Sequence, residues 1–465
     1  MQFFILFLHS VFLVATPYFL HKKFAAQPLG KFFGYGLVVK LIAGVALVYV
    51  FRYRYGSLAD SQSIFDVAAA LANKFYENPL NFLKFCFIDS KIPENYKILM
   101  FDWTPQTVFM YKLTSFFCIL THNNFWLVNL YLSFLSYLGL WFCANSLAKK
   151  VQSSEKIAAV SFLFFPSVIF WSSGILKESF LWFFSGIMIS MVLSFEVSKN
   201  IFDNISPKIL NFNNITTQKI NSKLFLNPIV FAKIVIFCLL SLCLFKLKYY
   251  YFAVLIPCLF MYLAGVIILQ IAYFQAHIKK NMLFLGVIMV MGVITISNFH
   301  DNLRLNYFFE GLVSNYYYLA NNSDVDNLIY YGFTSDYFYS VITNIHVALQ
   351  AAWISPMLWE TEGNILKLAA ALENTILLIF GMYVLTLKIV NYMNKTSKKI
   401  EKLHILLLSC GIIYVTVLAI FIALATPNIG TLVRYKVGFL PFVIYILLVG
   451  IQNNPHHFTK KYKKI

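Results

Sequence analysis

Few side chains in this chain could do chemistry, and they are of two kinds. Only four of the 37 basic residues are arginines: Arg52, Arg54, Arg304 and Arg434. A guanidinium keeps its charge at any working pH and grips phosphate through a bidentate fork, which an ammonium cannot do. The second kind is a carboxylate near the end of an apolar run. Asp60 stands just after one such run, and Lys177-Glu178 opens another after the stretch Phe165 to Trp171 and the turn Ser172-Ser173-Gly174. A carboxylate held at a membrane surface can take the proton of an acceptor hydroxyl, while cations compensate a departing phosphate. Glycosyl transfer from a phosphate-linked donor needs both. Lys248, beside Tyr249 to Tyr251, and Trp359-Glu360, after Pro356, complete the set. An indole there stacks on a sugar ring or sits in the interfacial aromatic belt.

The elements that must position these residues are membrane helices. The chain has 465 residues, 60% hydrophobic and 12% charged. Its apolar runs are continuous and near the length a helix needs to span a bilayer, so a β-barrel is excluded. Eleven spans are expected, at 2–20, 33–51, 124–146, 157–173, 178–196, 229–245, 252–274, 281–299, 365–388, 403–424 and 437–451. Residues 1–465 read as a single all-α, polytopic integral membrane domain. Lysine-rich segments orient it by the positive-inside rule. The loop 197–228 and the basic tail 453–465 fall in the cytoplasm. Two large loops, 53–123 and 300–363, fall outside and carry amphipathic surface helices. Residues 105–120 read as a partly embedded interfacial helix. In this topology all four arginines and most of the nineteen acids are external.

That distribution accounts for the net charge of +18 as topology, so no nucleic-acid partner is expected. Membrane lipid and an anionic, membrane-anchored substrate are the partners instead. Arg52 and Arg54 also suit headgroup anchoring, being where snorkelling side chains belong. Glu178 is expected to favour a helix N-terminus and to pair with its neighbour Lys177, with Lys177 facing a lipid phosphate. The seven cysteines are scattered without a CxxC, and no His spacing suits a metal. No Walker motif, nucleotide-binding GxGxxG or GxSxG elbow is present.

Three stretches carry a family resemblance. Phe165 to Ser179 (FPSVIFWSSGILKES), Asn428 to Lys436 with Pro441, and Pro356 to Glu360 followed by Leu372-Glu373-Asn374 resemble elements of large bacterial envelope-polysaccharide proteins. These lie around the GT-C glycosyltransferase superfamily and the related O-antigen and exopolysaccharide polymerases. The resemblance implies a GT-C-like bundle in the bacterial cytoplasmic (inner) membrane, acting at its outer face. The donor would be a sugar linked to polyprenyl phosphate or diphosphate. It makes Asp60 the catalytic carboxylate of the first external loop. Arg434, Tyr435 and Lys436 match an Arg-Tyr-basic element and join Lys177, Glu178, Lys248, Arg52, Arg54, Arg304, Trp359 and Glu360 as substrate-binding residues. No cofactor is strongly implied and a divalent metal is an option; Asp60 is followed by Ser61 and not by a second acid, a departure from the GT-C pattern that leaves metal dependence open. The alternatives are a polymerase joining lipid-linked repeat units and, in a different class, a lipid-linked-sugar flippase or transporter.

Overall fold

The computed structural model describes residues 2–55, 60–89, 92–100, 102–195, 228–269, 286–287, 291, 304–321, 323, 328–361, 363–393 and 402–452. All but the last residue of the loop 197–228, most of the span 281–299, the tail 453–465 and the side chain of Arg54 lie outside the described residues. Among the described residues the fold is all-helical, with no strand. Six helices there are long and apolar enough to cross a membrane, and a bent pair near the end makes a seventh if it counts as one span. This is a membrane protein. The chain divides into two compact units, Met1–Leu193 with Ile236–Tyr249, and Ser194–Val235 with Tyr250–Ile465.

In the first unit, α1 (Gln2–Phe24) and α2 (Phe33–Tyr55) cover the first two expected spans. The segment 53–123 holds α3 (Asp60–Glu77), α4 (Pro79–Phe87), α5 (Glu94–Lys97) and α6 (Pro105–Leu120). Amphipathic α3 buries Ile64, Phe65, Ala68, Leu71 and Ala72, spaced as one helical face, and packs chiefly on α6. Asn78 starts α4 by accepting the Asn81 amide, with Pro79 at the first helical position, where its missing N–H costs nothing.

Helix α7 (Phe125–Lys150) begins the same way, with Asn124 accepting the Leu127 amide. The expected span 157–173 is not one helix. Glu155–Ala159 (α8) passes into a π-turn, Val160–Phe164, and Pro166 then starts a separate helix, α9 (Pro166–Trp171). Proline supplies no amide and clashes with the preceding turn, so the helix must restart there. The next helix, α10 (Lys177–Leu193), stops short of the expected 178–196.

Helices α7 and α10 make the most extensive pairing in this unit. Two glycines allow it. A Cβ on Gly139 would lie 2.0 Å from the Trp182 carbonyl oxygen, and one on Gly186 2.2 Å from that of Gly139. In lipid no hydrophobic force drives helices together, and close backbone approach at small residues takes its place. Then α11 (Pro228–Leu247) matches the expected span 229–245, and Lys248 alone separates it from α12 (Tyr249–Ile268).

The second unit contains α12, α13 (Leu305–Ala320), α14 (Tyr337–Thr343), α15 (Ile345–Ile354), α16 (Ile365–Met393) and α17 (Lys402–Ala425). Helix α15 packs on α17, and α16 on the last helix, α19 (Leu440–Gln452). The carbonyls that end α17 have no helical partners of their own. Asn315 Nδ2 donates to Ala425 O at 2.8 Å, and Tyr331 OH to Ala423 O at 3.0 Å. Between α17 and α19 lies the short α18 (Ile429–Tyr435), capped by Asn428, whose Oδ1 accepts the Gly430 and Thr431 amides. A 3-10 turn, Lys436–Gly438, follows, and the chain bends by 61° into α19.

Candidate functional site

In the first unit three candidate residues, Lys177, Glu178 and Lys248, gather at the start of α10. The turn before it is built from polar groups inside an apolar bundle. Lys40, buried in the middle of α2, donates to the Ile169 carbonyl at 3.2 Å and to Ser172 Oγ at 2.5 Å. An ammonium at the end of α9 complements the exposed carbonyls there. Ser173 Oγ donates to Ile169 O at 2.6 Å, and Ser179 Oγ lies 2.7 Å from the Gly174 carbonyl. Gly174 has φ +71°, and a Cβ there would meet Asn129 Oδ1 at 2.3 Å. Only glycine fits this left-handed position at that distance.

The turn delivers Lys177 and Glu178 in different directions. Successive helical residues project about 100° apart, so neighbours do not face each other. Glu178 is fully buried, and its Oε1 accepts from Lys248 Nζ at 2.9 Å; that lysine is itself only 4% exposed. Lys177 is half-buried and donates to Thr107 Oγ1 on α6 at 2.8 Å. The partner of Glu178 thus comes from the end of α11, where sequence proximity had offered Lys177. Two charges inside the unit are tolerated because each meets the other in hydrogen-bonding geometry.

The second unit holds another cluster. Arg434 and Lys436 are both buried, at 9% and 4% exposure. Lys436 Nζ donates to the Ser355 carbonyl and lies within electrostatic reach of Glu360. Glu360 turns back on its own 3-10 turn (Leu358–Glu360), accepting the Met357 amide at 2.7 Å. The Arg434 guanidinium lies 5.6 Å from the Tyr435 ring centroid, and Tyr435 O accepts from Tyr251 OH at 2.7 Å. Trp359, at 77% exposure, presents its indole outward beside this cluster.

No known family, curated protein or solved structure matches the chain. Lys177, Glu178 and Lys248 belong together in one unit, and Arg434, Tyr435, Lys436 and Glu360 in the other. Asp60 is the exposed first residue of α3, Arg52 is exposed on α2, and Arg304 is exposed just before α13. Among the described residues no three His, Cys, Asp or Glu side chains gather closely enough to hold a metal ion.

Sequence reasoning passed over Thr107, Ser355 and Lys40. Thr107 and Ser355 carry no local signal. Lys40 does: it is a lone cation in an otherwise apolar run, and such a residue in a span must find a polar partner.

Proposed function

We propose that the chain is a membrane glycosyltransferase that takes a sugar from a polyprenyl-phosphate-linked donor at the outer face of the bacterial cytoplasmic membrane, for envelope polysaccharide or glycoconjugate synthesis. Eleven spans in a GT-C-like bundle are the architecture that goes with this reading. The observation that carries it is the buried Glu178–Lys248 pair with Lys177 beside it, at a helix start preceded by a polar turn. Buried ionisable groups in a membrane protein are costly and mark pathways for charged or polar substrates. Lys177, whose ammonium donates to Thr107 Oγ1, is the cation that this reading assigns to the phosphate.

In the reaction, Asp60 takes the proton of the acceptor hydroxyl. The acceptor oxygen bonds to the anomeric carbon as the bond from that carbon to the phosphate oxygen breaks. The electron pair leaves with the phosphate, whose charge Lys177 compensates.

The second reading, a polymerase joining lipid-linked repeat units, draws on the burial of Arg434 and Lys436 together. Membranes from cells making the full chain, supplied with lipid-linked sugars, separate the two. Asp60→Asn is expected to cut product by about 10²-fold or more with the protein still in the membrane, the usual worth of a general base. Normal product from that variant removes Asp60 from the chemistry. In Arg434→Lys, which loses the bidentate contact, accumulation of single repeat units favours the polymerase. Loss of one sugar from every unit favours the transferase. Purified protein that moves donor across vesicles and forms no glycosidic bond overturns both.

A further inference from the structure

Lys112 on α6 and Lys246 near the end of α11 belong to none of the contacts above. Lys112 Nζ sits 4.0 Å from the Phe85 ring centroid and donates to the Phe85 carbonyl at 2.5 Å. Phe85 in turn stacks on Tyr96 with centroids 4.3 Å apart. Lys246 Nζ lies 6.0 Å from the ring of Phe109, one turn before Lys112 on the same helix. Both ammoniums therefore stand on aromatic rings of one small region, a favourable seat for a cation.

Neither lysine forms an ion pair among the described residues, whereas Lys74, Lys97 and Lys248 each do. Burial holds the Lys112 amine below the ordinary lysine range, and the nearby charge of Lys246 adds to that, against opposing contributions from Cys86 and Asp89. Two like charges close enough to feel each other are an arrangement that a bound anion relieves.

The surroundings say what kind of anion. One and two turns beyond Lys112, Phe116 and Leu120 are exposed; one and two turns before Lys246, so are Leu242 and Leu239. Each cation thus adjoins a row of solvent-facing apolar side chains on its own helix. A free phosphate would use the lysines and leave the rows bare. A molecule with a phosphate head and hydrocarbon chains uses both.

We propose that Lys112 and Lys246 form a binding site for the phosphodiester headgroup of an anionic bilayer phospholipid, whose acyl chains lie along the exposed apolar rows of α6 and α11. Lys248, two residues beyond Lys246, is not part of the site, since its ammonium is already held by Glu178. It does not depend on whether the chain transfers a sugar.

The test uses the purified full chain in nanodiscs of phosphatidylcholine with and without a minority of phosphatidylglycerol. Native mass spectrometry counts the phosphatidylglycerol retained. Wild-type protein is expected to retain it, with retention falling about five-fold for each lysine neutralised in Lys112→Gln and Lys246→Gln. Lys97→Gln, which removes a surface ammonium already paired with Glu94, is expected to leave it unchanged. Lys112→Arg/Lys246→Arg keeps both charges and is expected to keep the lipid. Should the half-buried Lys112 variant fail to fold, Lys246→Gln alone, at an exposed position, decides the matter. Retention unaltered in the glutamine variants overturns the proposal. So does inorganic phosphate that displaces phosphatidylglycerol or stabilises the wild type in phosphatidylcholine alone as well as the lipid does, since the site would then be one for the free anion.

Discussion

Glu178→Gln should destabilise the protein by about 3–5 kcal/mol, because it removes the carboxylate that faces the buried Lys248 ammonium. The glutamine still offers an oxygen near 2.9 Å, so the hydrogen bond survives in outline and the loss isolates the charge. Glu178→Leu/Lys248→Met removes both charges at once. Replacing a buried pair by apolar groups of similar size is often neutral or better, so this double variant should recover most of the stability lost by Glu178→Gln. Chemical unfolding of the purified protein in mild detergent measures both. Product formation then separates structure from chemistry. A double variant that is stable and inactive keeps the pair in the substrate path. One that is stable and fully active makes the pair a brace alone and sinks the site proposed around α10.

Gly139→Ala carries the second large expectation. The added methyl group would begin 2.0 Å from the Trp182 carbonyl oxygen, and backbone cannot swing aside as a side chain can. Overpacking costs about 1–3 kcal/mol, and a clash with backbone belongs at the upper end. Gly186→Ala meets the same crossing from the other helix, at 2.2 Å from Gly139 O. The two substitutions should combine to less than their sum, since either one alone already parts the helices. Gly332→Ala is the control, having nothing within 4 Å of its added Cβ. If Gly139→Ala unfolds at the same denaturant concentration as Gly332→Ala, the close crossing of α7 and α10 is not what holds this unit together.

Apolar run length made the long helices legible. The expected spans 33–51, 229–245, 365–388 and 403–424 each fall within a helix, and 124–146 does but for its first residue, the N-cap Asn124, because an uninterrupted apolar stretch in a bilayer has no other way to satisfy its backbone. Hydropathy does not register backbone geometry, and so 157–173 read as one span although a π-turn and Pro166 divide it. Side-chain partnership was the least legible. Lys177 and Glu178 looked like a pair because they are adjacent, yet adjacency on a helix is divergence in space. Lys248 reads as a substrate-binding cation beside Tyr249 to Tyr251, and nothing local to it names a carboxylate in another helix. Arg434 and Lys436 stood out as charges beside an apolar segment, but the Ser355 carbonyl that receives Lys436 is a backbone atom, invisible to residue type.

The Glu178–Lys248 contact also has a place in time. Its two ends are 70 residues apart. At a synthesis rate of about 5–20 residues per second, Glu178 waits roughly 4–14 s on the ribosome and at the translocon before Lys248 is made. Until then the carboxylate must keep water or a proton, because an unpaired charge cannot settle into hydrocarbon. Helix α10 can therefore take its final seat only after α11 has been made, so the order of translation delays closure of the first unit until its last piece arrives.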